Sequence, residues 1–458
     1  MSPLYSACGI ILLALTLSHH FRNHTSLAHT HTLFLTYGLT YQTSLLTHRL
    51  TFTSCALNTK HILCTAFTDF DSSPLRKPLF TPITPHGIFT LDGLAWKRSR
   101  EQLRARLSNL RRTIDLSLCE EHFRAFLKHV PPDGGVFDAQ RVVFALSLDL
   151  QTRFSLGESV DALGEMQSEE QRRFLGDLAR VKERIVRDGF RGPLRHFEGK
   201  GAFWRACARV RGFVVERVRR DIEGRRSGGV GDGVGVPEEE INQSADQALS
   251  ILLANDSMST TLSGILYCLA KDERVVTKLR DSIVDSIGLE PPTWAQLGGL
   301  QYVRWVIQEA MRLYPPVVLN ARVANKMTTL PTGGISSTKN NTNTTDSQNI
   351  PILIHPNEIV VFSTWSLHRL DPSFGPDPES FYPERWETRN PESMPGYIPF
   401  NKGPRSCPGQ HYATIILTYL VTRMFQTFST VTDYNAGPWR ERISMTFENA
   451  DGVLVGLS

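Results

Sequence analysis

The chain has 458 residues, 41% of them hydrophobic, enough apolar mass for a large core and, on length alone, for two or three domains. Fifty Lys and Arg against 46 Asp and Glu leave a net charge of +4, too small and too evenly interspersed to argue for nucleic acid. Seven cysteines at irregular spacing, an odd number, argue against a disulfide framework and fit a reducing compartment.

In chain order, the first signal is an apolar run from Leu4 to Leu17, followed by His19, His20 and Arg22. A bilayer-spanning helix needs about 20 residues, so this run reads as a short membrane anchor, with a cleaved signal as the alternative. From Thr36 to Thr53, Thr, Tyr and Leu alternate with little charge, which predicts paired strands. Ala56 to Phe67 reads as a short helix. Asp69 to Phe89 contains Pro74, Pro78, Pro82 and Pro85 and is expected to be mostly loop. Beyond Gly93 a helix is predicted as far as Arg112, with Trp96 and Arg100, four apart, on one face. Phe137 to Leu163 keeps helical spacing. Gln171 to Arg226 sets many arginines among Phe174, Phe190, Phe197 and Trp204, a pattern of amphipathic helices. No nucleic-acid module accompanies the aromatics, and a lid lying against lipid accounts for the mix. The glycine-rich stretch Ser227 to Val236 lacks the Gly-Lys-Ser/Thr of a phosphate loop and reads as a linker.

Ile241 to Ala270 reads as one long apolar helix whose middle holds an acid and an alcohol, Asp256 and Ser257. Both flanks are apolar, so these two are more than surface polarity or a cap. In Tyr302 to Pro316, Glu309 and Arg312 are three apart on a helix and can pair, and a buried pair needs a third partner. Further on stands Pro383-Glu384-Arg385-Trp386. Leu319 to Lys326 alternates as a strand, which turns Arg322 to one side. Ile335 to Ile350 is polar and low in complexity, a surface loop with glycosylation sequons at Asn340 and Asn343. In Phe400 to Gly409, Gly403 and Gly409 permit a tight loop around Cys407, and Pro408 suits the first turn of a helix. An apolar helix over Tyr412 to Phe428 and a strand pair over Ile443 to Leu457, able to reach back into the molecule, complete the chain.

Phe400, Gly403, Arg405, Cys407 and Gly409 fill the pattern F-x-x-G-x-R-x-C-x-G. Together with Trp96-x-x-x-Arg100, Glu309-x-x-Arg312 and Arg385, in that order, they make residues 36 to 458 resemble the cytochrome P450 family. The resemblance is closest to the fungal branch that hydroxylates alkanes and fatty acids, through GIFTLDGLAWKRSR, LNARVANKMTTLP and IPFNKGPRSCPGQ. It implies a mainly α fold with small β-sheets, an α-rich triangular domain whose long central helix lies over haem. Residues 36–458 form that one catalytic domain, and 1–35 an anchor and linker that look abbreviated. The basic, proline-rich hinge and the first helix that usually precede the first sheet are not legible.

By the same resemblance the Cys407 thiolate is the axial ligand of haem b. Arg100, Arg322 and Arg405 hold its propionates alongside Trp96, and Phe400 packs beside the ring. Glu309, Arg312 and Arg385 lock the cysteine loop. In the central helix Ala254 takes the small position, with Asp256 as acid and Ser257 as alcohol for proton delivery. Leu253 and the serine depart from the family pattern, and a register shifted by one would put Met258 at the alcohol. Phe80, Ile83, Ile88 and Phe89 either line the substrate pocket or tuck into the core. The implied reaction inserts one atom of O2 into a C–H bond of a hydrophobic molecule. A long aliphatic chain is the first expectation, with a fungal polyketide or terpenoid next. Electrons come from NADPH-cytochrome P450 reductase, steered by Lys97, Arg98, Arg104 and Arg106 at the endoplasmic reticulum membrane, with the catalytic domain facing the cytosol. Two other classes stay open: a haem-thiolate isomerase or dehydratase needing no external electrons, and a haem-binding protein without turnover.

Overall fold

The computed structural model describes residues 23–45, 48–227, 236–333 and 350–458. The apolar run Leu4–Leu17, most of the glycine-rich linker, and both sequons lie outside the described residues. The first described element corrects the sequence reading. Helix α1 (Ser26–Tyr37) does precede the first sheet, so the packed unit begins by Ser26 rather than at residue 36. Its threonines are poor helix formers, yet the hydroxyls of Thr30, Thr32 and Thr36 donate back to the carbonyls of Ser26, Ala28 and Thr32 at 2.8, 3.0 and 2.8 Å. Leu27 and Phe34 are buried, and the Leu27 amide donates to the Glu441 carboxylate at 2.9 Å, a partner from the far end of the chain.

Strands β1 (Thr40–Leu45) and β2 (His48–Thr53) pair antiparallel as expected. Helix α2 (Ala56–Lys60) widens into a π-turn over His61–Thr65 and leads to β3 (Phe70–Asp71). Helix α3 (Ser73–Phe80) then stands where the prolines predicted loop. Pro74 occupies its first turn, where an N–H is not needed, and Pro78 forfeits one bond of a short helix. The missing start signal is nonlocal: the Asp92 carboxylate caps the Ser72 amide at 3.1 Å and also takes the Ser73 amide.

Helices α4 (Gly93–Leu107), α5 (Leu116–Leu127) and α6 (Ala139–Leu156), with β4 (Phe137–Asp138) before the last, precede the lid helices α7 (Glu169–Arg191) and α8 (Gly201–Ser227). The expected single long helix is two, α9 (Glu238–Ala254) and α10 (Asp256–Leu269), interrupted at Asn255. Helices α11 (Glu273–Ile287) and α12 (Gln301–Leu313) follow, then β5 (Leu319–Ala324), β6 (Thr328–Leu330), β7 (Ile352–Ile354), β8 (Ile359–Ser363) and α13 (Thr364–Leu370). The chain closes with α14 (Gln410–Thr427) and strands β9 (Val431–Asp433), β10 (Glu441–Ile443), β11 (Phe447–Asn449) and β12 (Leu454–Leu457).

The largest described sheet has five strands in the order β1-β2-β8-β5-β3, with only β2 and β8 parallel, and the others have two or three. The architecture is therefore mainly α with small sheets, as the sequence implies. The main core joins α5, α6, α10, α11, α12 and α14 around side chains such as Phe123, Leu266, Ile307 and Phe425. A second core fixes the lid on α9, with Phe174 and Phe213 stacked at 4.0 Å and packed with Leu249 and Leu253. Phe80 and Ile83 join this second core as fully covered residues, and Phe89 packs against Phe80 from its edge. The β10–β11 hairpin does reach back, its Thr446 hydroxyl 2.8 Å from that of Thr260 on α10. No described helix is long and apolar enough to cross a membrane.

Candidate functional site

The loop ahead of α14 is shaped by backbone geometry. Asn401 and Gly403 both take left-handed φ, +63° and +69°. A Cβ at Gly403 would collide with the carbonyl of Leu63 in the π-turn, so the loop lies directly on that turn and only glycine fits. The Cys407 amide donates to the Phe400 carbonyl at 2.8 Å, closing the loop, and Phe400 packs against the main core.

Cys407 keeps exposed surface, yet burial pushes its thiol pKa up. The backbone of Gly409 and the charge of Arg100 work the other way, stabilising the thiolate. Ala254 is exposed between buried Leu253 and Asn255, and Ser257, one turn on, is half-buried. These two positions keep accessible surface, whereas Met258 is buried. The Asp256 carboxylate turns elsewhere. It pairs with Lys182 of α7 at 2.7 Å, both side chains nearly covered, and Asn255 lies 3.4 Å from the same oxygen.

The predicted arginines gather. Trp96 is buried under the guanidinium of Arg405 at 4.4 Å and that of Arg100 at 5.7 Å. Arg100 reaches the Ser406 hydroxyl at 3.3 Å. Arg405 donates to the Leu91 carbonyl at 3.0 Å and pairs with Asp92. Arg322 is 2% exposed and hydrogen-bonded to neutral oxygens, Asn320 Oδ1 at 3.1 Å and the Ala321 carbonyl at 2.8 Å. Burial lowers its pKa far below the usual arginine range, and the positive charges of Arg76 and Arg405 lower it further. A covered group of guanidinium ions this short of carboxylates is costly unless anions complete it. A cysteine sulfur and covered arginines are a donor set that fits haem, a flat macrocycle with two carboxylates.

The clamp behind the loop has the predicted partners and more. Glu309 accepts from Arg312 at 3.0 and 2.9 Å, from Arg385 Nε at 3.2 Å, from Trp386 Nε1 at 3.0 Å and from the Tyr382 amide at 3.1 Å. Glu309 and Arg312 are fully buried, so removing one member costs about 3–5 kcal/mol by leaving the other charge unpaired. The link from clamp to cysteine loop is His368, which the motifs do not reveal. Its Nε2 accepts from the Ile398 amide at 3.0 Å, which leaves Nδ1 to donate to the Arg312 carbonyl at 3.0 Å. Lys182, Arg76 and His368 are thus the site residues that sequence spacing missed, because each meets its partner only through the fold.

A family model described as Cytochrome P450 matches residues 237–447. Among curated proteins, the chain is 31% identical over 455 residues to the cytochrome P450 monooxygenase himC of Aspergillus japonicus, covering 95% of this chain and 79% of that one. It is 30% identical to the cytochrome P450 monooxygenase fsdH of Fusarium heterosporum, over 87% of this chain and 72% of that one. Similarity to cytochrome P450 52A13 of Debaryomyces hansenii is 30%, over 88% of this chain and 80% of the relative.

Proposed function

The chain belongs to the cytochrome P450 family, haem-thiolate monooxygenases that draw on O2 and a redox partner, and we propose that it hydroxylates a long aliphatic molecule, a fatty acid or alkane. Bound haem supplies the oxidising chemistry, activating dioxygen for insertion into a C–H bond with two electrons from outside. Cys407 would be its sulfur donor, and although burial raises the thiol pKa, the Gly409 backbone and Arg100 favour the thiolate. Arg100, Arg322 and Arg405 would hold its carboxylates beside Trp96, and Phe400 backs the loop. The observation that carries the reading is the cysteine loop itself, closed by the Cys407 amide on the Phe400 carbonyl and seated on Leu63 where only Gly403 fits, with Arg100 acting on the sulfur.

Two side chains handle protons in this proposal. Ser257 Oγ would hold and pass a proton beside the small Ala254 side chain, and Asp256 Oδ1, once it leaves Lys182 Nζ and takes up a proton from solvent, would resupply it. Because Lys182 sits on the lid helix, lid position and proton supply are coupled. The aliphatic substrate is favoured by a largely apolar groove of about 460 Å³ between α3 and the lid, walled by Pro78, Leu79, Pro82, Ile185, Phe203 and Trp204. Exposed Lys97, Arg98 and Arg104 on α4 offer a face for an acidic NADPH-dependent reductase. The exposed aromatics Phe190, Phe197 and Trp204 of the lid suit the surface of the endoplasmic reticulum membrane. Reconstitution with reductase and a panel of fatty acids and alkanes tests the proposal. Hydroxylated product with matching NADPH consumption is expected. Product formed without NADPH would instead establish an isomerase or dehydratase, and absence of any turnover would leave a haem carrier.

A further inference from the structure

We propose that Asn255 is a positioning residue for proton delivery, aimed by Ser147 of α6, and that this pair keeps the Asp256 carboxylate in place when Lys182 leaves with the lid. The inference rests on the reading of Asp256 as proton donor and extends it to two residues outside every motif. Ser147 and Asn255 are each 2% exposed, in surroundings that are otherwise apolar. Val143, Leu146 and Leu150 are the buried neighbours of Ser147 on α6, and Leu252, Leu253 and Met258 flank Asn255. A side-chain amide buried there is costly unless its polar atoms are bonded.

The bonds it makes run in one direction. Ser147 Oγ donates to Asn255 Oδ1 at 2.7 Å, and Asn255 Nδ2 donates to Asp256 Oδ1 at 3.4 Å. A carboxylate only accepts, so the amide must turn its nitrogen toward Asp256 and its oxygen toward Ser147, which the hydroxyl can satisfy only by donating. The ionised acid sets the sense of the chain, and the hydroxyl fixes the amide. Asp256 Oδ1 is shared, because Lys182 Nζ donates to the same oxygen at 2.7 Å. Competition with a full charge at that distance accounts for the longer Asn255 contact. Lys182 belongs to the lid helix α7, whereas Ser147 lies on α6 and Asn255 at the break in the central helix. Once Lys182 withdraws, the amide is the donor that stays within reach. An amide can hold the acid while it takes up a proton from solvent, whereas an ammonium ion repels that proton.

The test compares haem-loaded wild type with Ser147→Ala, Asn255→Leu, Asp256→Asn and the double variant S147A/D256N, using reductase, NADPH and palmitate. N255L is expected to lower product per NADPH about tenfold and S147A about threefold, the first losing a donor to a charged group and the second a neutral bond. The deficit should appear as peroxide, with KM unchanged. S147A should cost nothing further in D256N, because its effect passes through the carboxylate. Unfolding of the same proteins in urea gives a readout that needs no turnover: the midpoint losses of S147A and D256N should sum to more than the loss in the double variant. Wild-type coupling in either S147A or N255L overturns the proposal. So does an S147A loss that persists in full in D256N, or urea losses that add, the marks of a merely structural role. If D256N itself couples as wild type, the acid reading fails. If D256N uncouples while S147A and N255L do not, the positioning inference alone is lost.

Discussion

Cys407 is positioned by backbone, with Gly403 seated on the Leu63 carbonyl and the Gly409 backbone acting on the sulfur, and it is stabilised electrostatically by an arginine one helix away. Residue spacing discloses the loop's glycines and cysteine, because loop geometry is local, but not its seat on Leu63. His368 shows the opposite case. It looks unremarkable in sequence, yet it joins the Glu309 clamp to the segment at Ile398 leading into the cysteine loop, and burial drives its pKa down to about 3. A histidine depressed on folding contributes stability that is complete above its unfolded value of 6.5 and is lost as pH falls toward 3. Glu384 adds a second step. Burial would raise its pKa, but Arg274 and Lys278, at 2.8 and 2.9 Å, hold it at about 2, so its contribution is lost below its ordinary 4.5. Unfolding free energy should therefore fall between pH 6.5 and 4.5 with a slope of up to about 1.4 kcal/mol per pH unit, and more steeply below, lowering the thermal midpoint with it. His368→Gln should lower the midpoint at neutral pH and flatten the profile between 6.5 and 4.5. A profile in the variant as steep as in wild type would count against the neutral, buried imidazole.

At the scale of elements, the long apolar helix was legible but its interruption was not. The break at Asn255 is held from a neighbouring helix, the Ser147 hydroxyl donating to Asn255 Oδ1 at 2.7 Å, and no local signal in α9 or α10 announces it. Asp256 and Ser257, successive residues of α10, point to different sides of the helix, Asp256 toward Lys182 on the lid. Asp256→Asn is expected to slow product formation about 100-fold without weakening substrate binding, as for loss of a positioned proton donor. Ser257→Ala should keep consuming NADPH while diverting it to peroxide. The ratio of product to NADPH measures both, and wild-type coupling in the two variants would take the pair out of the mechanism. Helices α1 and α3 were illegible for related reasons. The threonines of α1, poor helix formers until their hydroxyls are satisfied within it, let most of it read as linker, and the cap that starts α3 is Asp92, on the far side of four prolines.

For the whole molecule, the motifs mark one face of a structure whose other half is specified diffusely. The clamp, the cysteine loop and the central helix fall within residues 237–447, where the family match lies, whereas the lid and groove come from earlier segments without motifs. Composition and periodicity could identify these segments as amphipathic helices. They could not show that Phe203 and Trp204 would face Pro78 and Leu79 across a groove, because that pairing depends on how α3 and α8 dock. Chemistry is therefore more legible than substrate. The account stands or falls on sulfur ligation of haem by one residue, and the carbon monoxide difference spectrum of the reduced protein measures it directly. Wild type should give the band of thiolate-ligated haem and Cys407→Ala should lose it. A wild-type protein without that band after haem supply, or a Cys407→Ala variant that keeps it, would contradict the assignment.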